Sequence, residues 1–186
     1  MLLLLGCAHS SAVVAPPPPE EEADIEWFDL YGADRIDLIE SCLERCPRDE
    51  SGIPVASLTT WQLRWGWVRG GEERCEVADA TVDTMVRLQM PRWAPPADAD
   101  PALVAEWDAW FGALRHHELG HVALVYAFAH DAELRLEDAG CDGIDAMGEG
   151  LVRNLRAAEL EYDAVTDSGE RQGASFWSRE RVLAEE

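Results

Sequence analysis

The chain has 186 residues, 47% of them apolar, and sets 37 acidic side chains against 15 basic ones for a net charge of −22. That length accommodates one domain with a short appendage, and the apolar share suffices for a buried core. Every basic residue is arginine, and so acidic a surface repels phosphate backbones and anionic lipid heads, which excludes nucleic acid as a partner.

The first residues, MLLLLGCAHSS, resemble the lipobox of bacterial lipoproteins, whose cysteine is acylated and becomes the mature N-terminus, so Cys7 is the expected lipidation site. The apolar run is shorter than the ~7–15 residues of a complete signal and no basic residue precedes it, as a start codon placed too far downstream would explain. AVVAPPPPEEEAD follows, and its prolines and acidic run predict an extended tether. Residues 1–24 are therefore expected to be signal remnant and tether, and 25–186 the folded domain. The expected location is secreted or periplasmic, with the bacterial membrane touched only through the lipid.

Residues 24–32 (DIEWFDLYG) suit a short strand. The next run has Ile36, Ile39, Leu43 and Cys46 at helical spacing until Pro47 stops it. From Val55 the period changes: Trp61, Leu63, Trp65 and Trp67 alternate with polar residues, as in a half-buried strand. After the turn RGGEER, Val82, Val86, Leu88 and Met90 alternate again, which predicts an antiparallel hairpin closed by Pro91.

Asp100 offers an N-cap with Pro101 at the first helical position. Trp107, Phe111, Leu114, Glu118, His121, Val125 and Phe128 then share one stripe, and Gly140 suits the C-terminal end. Some forty residues of helix would span ~60 Å, which predicts a bend or break. A second helix is expected from about Ile144 through LVRNLRAAELEYDAV. Strands followed by helices argue for an α+β fold with a small antiparallel sheet.

Residues 117–121, His-Glu-Leu-Gly-His, form the pattern HExxH. On a helix, positions i and i+4 project from one face, so His117 and His121 can hold one zinc ion through nitrogens at ~2.0–2.1 Å. Glu118 sits about 100° round the helix, within reach of a zinc-bound water whose proton it would take as that water attacks a peptide carbonyl. Gly120 costs the helix ~1 kcal/mol relative to alanine, which predicts close approach by another backbone. His116 and His130 point elsewhere. A catalytic zinc needs a third protein ligand. Asp163, Glu159 and Glu161 are the candidates, all on the second helix as it returns across the first.

The order of Trp61, Cys75, LQMPRW, HHELGH, Cys141 and YDAVTDSGERQGA resembles a bacterial family, domain of unknown function family 922, described as predicted secreted zinc-dependent proteases. The likeness runs over roughly residues 25–176 and implies a zincin-like fold with His117 and His121 as ligands and Glu118 as catalytic base. The family signature is Tyr-Asp-x-x-Thr-x-His-Gly, then Gln-Gly-Ala. Tyr162, Asp163, Thr166, Gly169, Gln172, Gly173 and Ala174 match it, and Ser168 replaces its histidine. The match favours Asp163 over Glu159 as third ligand, and Tyr162 beside it as a donor to the oxyanion.

The expectation is a monomeric zinc metalloprotease of peptide or protein substrates in the cell envelope. Its alternative is an inactive zinc-binding lipoprotein, suggested by Ser168. Without Cys7 the cysteines are even in number and lack zinc-ribbon spacing, so they read as disulfides. Cys75–Cys141 would tie the returning strand to the loop after the metal-binding helix, leaving Cys42–Cys46 as the second bridge.

Overall fold

The computed structural model describes residues 23–70 and 76–175. Cys7, the tether as far as residue 22, and Cys75 lie outside these residues. In chain order come strand β1 (Asp24–Leu30), helix α1 (Arg35–Arg45), strands β2 (Leu58–Gly70) and β3 (Glu76–Trp93), and helices α2 (Pro101–Glu137) and α3 (Ile144–Thr166). A short 3-10 turn, Glu170–Gln172, follows. The fold is α+β, with one three-stranded sheet in the order β1-β3-β2.

The sheet is mixed rather than antiparallel. β2 pairs antiparallel with β3, whereas β1 runs parallel to it, with Asp24 opposite Arg87 and Leu30 opposite Trp93. Only consecutive β2 and β3 need to pair antiparallel. α1 and the loop behind it separate β1 from β2 and let β1 take the other edge of β3 in the parallel sense. Pro91 does not close β3, which continues to Trp93. The ladder with β2 ends at Leu58 opposite Gln89, so Pro91 has a strand on one side only, where a missing N–H is tolerated.

α1 buries a different face from the expected one. Leu38, Ser41 and Cys42 point inward, while Ile36 and Leu43 are exposed. Asp34 caps its first turn by accepting from the Asp37 N–H. Pro47 biases Cys46 toward extended backbone, and Cys46 adopts φ −60°, ψ 145°. Leaving the helix there brings its Cα to 4.7 Å from that of Cys42, and the two cysteines form a disulfide. Cys141 is also disulfide-bonded. Its expected partner, Cys75, is outside the described residues.

α2 begins as expected, with the Asp100 carboxylate accepting from the Ala102 N–H and Pro101 in the first turn. The predicted break does not occur: 37 residues run as one helix, about 55 Å at 1.5 Å per residue. The 18 residues of β3 span a similar ~60 Å, so the helix finds sheet to pack on throughout. Three apolar clusters mark that seam. Leu103, Trp107, Trp110 and Leu114 meet Met90 and Trp93 at one end; Leu119, Val122 and Val125 meet Val86 and Leu155; Ala132 and Leu136 meet Ala80, Ile144 and Leu151 at the other. HExxH lies where the first cluster passes into the second.

Candidate metal centre

His117, Glu118 and His121 are all buried, at 4%, 6% and 8% exposure. Burying three ionisable groups in a core helix is tolerable only when each has partners, and each does. Both imidazoles turn Nε2 toward one oxygen, Asp163 Oδ1 on α3, at 3.3 Å from His117 and 3.1 Å from His121. One nitrogen from each histidine and one carboxylate oxygen lie within 4.8 Å of one another. Asp163 thus joins the two histidines, as expected. Glu161 is exposed and takes no part.

Each far nitrogen faces a polar group behind it. His117 Nδ1 lies 3.0 Å from Gln172 Oε1, Gln172 Nε2 donates to the Tyr162 hydroxyl, and that hydroxyl donates to the His117 carbonyl, both at 3.2 Å. An amide oxygen can only accept, so the Gln172 contact calls for a proton on His117 Nδ1. Glu159 Oε1 stands 3.9 Å from His121 Nδ1, and its other oxygen accepts from the Trp61 indole at 2.8 Å. Glu159, the alternative ligand, therefore backs His121 instead of sitting beside Asp163.

Tyr162 is placed differently from expectation. Its ring lies parallel to that of His117 at 5.2 Å, and its hydroxyl is engaged with the His117 carbonyl and Gln172, away from the cleft lining. This position supports the helix rather than an oxyanion. It also explains Gly120, though a side chain and not a backbone makes the approach. A Cβ at residue 120 would fall 2.1 Å from the Tyr162 hydroxyl oxygen.

The signature after α3 builds the turn that brings Gln172 home. Thr166 donates its hydroxyl to the Tyr162 carbonyl. Asp167, Ser168 and Gly169 then take left-handed φ values of 57°, 48° and 85°. At Gly169 a Cβ would meet His117 Cγ at 3.0 Å, so glycine leaves room for the imidazole. Ser168, exposed, lines the cleft.

Charges follow from this packing. Burial lowers the His121 pKa, but the hydrogen bond to Asp163 and the charges of Glu118, Asp163 and Glu159 outweigh it and hold it above the ordinary histidine value. Burial raises Asp163, yet hydrogen bonds to both imidazoles push it well below the usual carboxylate range. Glu159 is raised by burial, against the Trp61 bond. The cluster opens onto a cleft of about 900 Å³, walled by residues 55–61 on one side and by Glu159, Leu160 and Asp163 on the other.

Two groups at the cleft had no signal in the sequence reading. Ser57 Oγ donates to Glu118 Oε1 at 2.5 Å, and Thr59 Oγ1 to Oε2 at 2.6 Å. Only their two-residue spacing at a strand start places them on one face.

No curated protein and no solved structure matches this chain. The family described as bacterial protein of unknown function (DUF922) matches residues 25–170. With the fold, HExxH and most of the closing signature inside that span, the chain belongs to the DUF922 family of bacterial proteins.

Proposed function

We propose that this chain is a zinc-dependent metallopeptidase of the bacterial cell envelope, with a zincin-like arrangement of sheet and HExxH helix. The observation that carries the reading is the convergence of His117, His121 and Asp163 beside the buried carboxylate of Glu118 at a cleft wall. Two imidazole nitrogens and one carboxylate oxygen are the donor set of a catalytic zinc site, which keeps its fourth position open. His117, His121 and Asp163 would hold the ion. When bound, zinc supplies Lewis acidity that polarises a peptide carbonyl and makes water a stronger acid.

The remaining work falls to the protein. Gln172 keeps the His117 proton on Nδ1, and the Glu159 carboxylate stands 3.9 Å behind the His121 ring as a nearby negative charge. Glu118 takes a proton from the attacking water on a carboxylate oxygen and hands it to the departing amine as the C–N bond breaks. The apolar walls of the cleft, including Leu58 and Leu114, shelter the reacting carbonyl from bulk water. Export and an anchor at Cys7 complete the reading, and the Cys42–Cys46 bridge fits an oxidising compartment.

Purified protein should carry one zinc per chain and cleave an unfolded protein or peptide library, and Glu118→Gln should keep the metal and lose cleavage. A second reading, an inactive zinc-binding envelope module, draws on Ser168 in place of the family histidine. Cleavage by Ser168→His but not by the wild type would establish that one.

A further inference from the structure

Glu118 is ionisable, 6% exposed and midway along α2. Its partners are two neutral hydroxyls from a different element: Ser57, itself 8% exposed, into one oxygen and Thr59 into the other. They come from 61 and 59 residues away in the chain. Ser57 immediately precedes β2 and Thr59 lies within it, so the strand's two-residue period turns both toward α2. Thr59 is fixed by the β3 ladder opposite Leu88.

We infer that Ser57 and Thr59 are positioning residues that aim the Glu118 carboxylate. This rests on the metallopeptidase reading above, in which Glu118 is the base that meets the attacking water. A carboxylate held at one oxygen can still turn about its last carbon–carbon bond, whereas donors on both oxygens from one strand segment fix its plane. Each hydroxyl occupies one lone pair of its oxygen and leaves another for the water. The clamp thus fixes direction without bringing a charge to the base.

The test compares Ser57→Ala, Thr59→Val and their double variant with the hydroxyl-retaining Ser57→Thr and Thr59→Ser, all loaded with zinc. Thr59→Val keeps the shape of the side chain and so guards against misfolding. The double variant should bind zinc with wild-type affinity and keep KM within about twofold, while kcat falls at least tenfold; each hydroxyl-retaining variant should stay within about threefold of wild type. Unchanged kcat, or an equal loss in the hydroxyl-retaining variants, overturns the inference.

An infrared difference spectrum, each protein minus its Glu118→Gln counterpart, reads the Glu118 carboxylate stretch without turnover. That band should shift in Thr59→Val and return in Thr59→Ser, and a band that does not move overturns the clamp. A band that shifts in Thr59→Val, beside a wild type that cleaves nothing, refutes the peptidase reading and leaves the positioning contacts standing.

Discussion

Replacing Gly120 by alanine should destabilise this protein, against the ordinary behaviour of a helix interior. On propensity alone the change stabilises by ~1 kcal/mol. Here the new methyl would lie 2.1 Å from the Tyr162 hydroxyl oxygen and 2.4 Å from Cζ, so the ring must move. Moving it breaks the bonds from Tyr162 to the His117 carbonyl and from Gln172 to Tyr162, worth ~1 kcal/mol each for neutral pairs. Overpacking a fitted contact costs a further ~1–3 kcal/mol. The balance is a net loss of ~2–4 kcal/mol, nearer the lower end because Tyr162 is half-buried and water replaces part of its bonding. In a Tyr162→Ala background the clash vanishes, so the same Gly120→Ala change should become neutral or stabilising by up to ~1 kcal/mol. Urea denaturation of the four metal-free proteins measures both steps. A Gly120→Ala single variant at least as stable as wild type would refute the packing argument.

Three further outcomes follow from the same geometry. Glu118→Gln should lower peptide cleavage at least ~10²-fold while zinc content stays at one per chain, checked by metal analysis beside a fluorogenic peptide assay. Gln172→Leu, which strips the partner from His117 Nδ1, should weaken zinc binding by ~10–100-fold in competition with a chelator. Metal-free protein should be most stable between about pH 4 and 6.5, bounded by the two unfolded-state values. Asp163, depressed in the fold, contributes stability that is lost as pH falls through its folded value; His121, raised in the fold, contributes stability that is lost as pH rises through its own. Melting curves across pH should show a smaller neutral-side decline in Asp163→Asn, because Glu118 and Glu159 still act on His121, and a wild-type melting temperature that climbs from pH 6 to 8 would contradict the assignment.

Spacing made the helices, the HExxH face and the β2 alternation legible, because a 3.6-residue or two-residue period reports directly on which side is buried. It failed at α1, which carries two apolar stripes. Ile36, Ile39 and Leu43 are as regular as Leu38 and Cys42, and only the docking against β1 decides between them. It failed at the supposed break in α2 because helix length alone does not show that β3 runs far enough to support all of it. The parallel pairing of β1 has no local signature at all.

At the site, His117 and His121 announced themselves, and Asp163 came into view through the closing signature. The structure gives that signature physical content: Thr166 braces the turn, Gly169 makes room for His117, and Gln172 meets Nδ1. Tyr162 fills the space beside Gly120, a relation that neither residue displays alone. Ser57 and Thr59 were illegible, since hydroxyls at a strand start are common and their partner lies about sixty residues away. Trp61 read as core from its alternation, whereas its indole N–H also anchors Glu159.

His117, His121 and Asp163 are proposed to bind zinc together. Titrating metal-free protein with zinc against a chromophoric chelator tests it most directly, using wild type, Asp163→Ala, Glu159→Ala and the His117→Ala, His121→Ala double variant. One tight site is expected in wild type, with its loss in the double variant, an affinity lower by orders of magnitude in Asp163→Ala, and a smaller loss in Glu159→Ala. Wild-type affinity in Asp163→Ala, or full zinc occupancy in the double variant, would contradict the proposal.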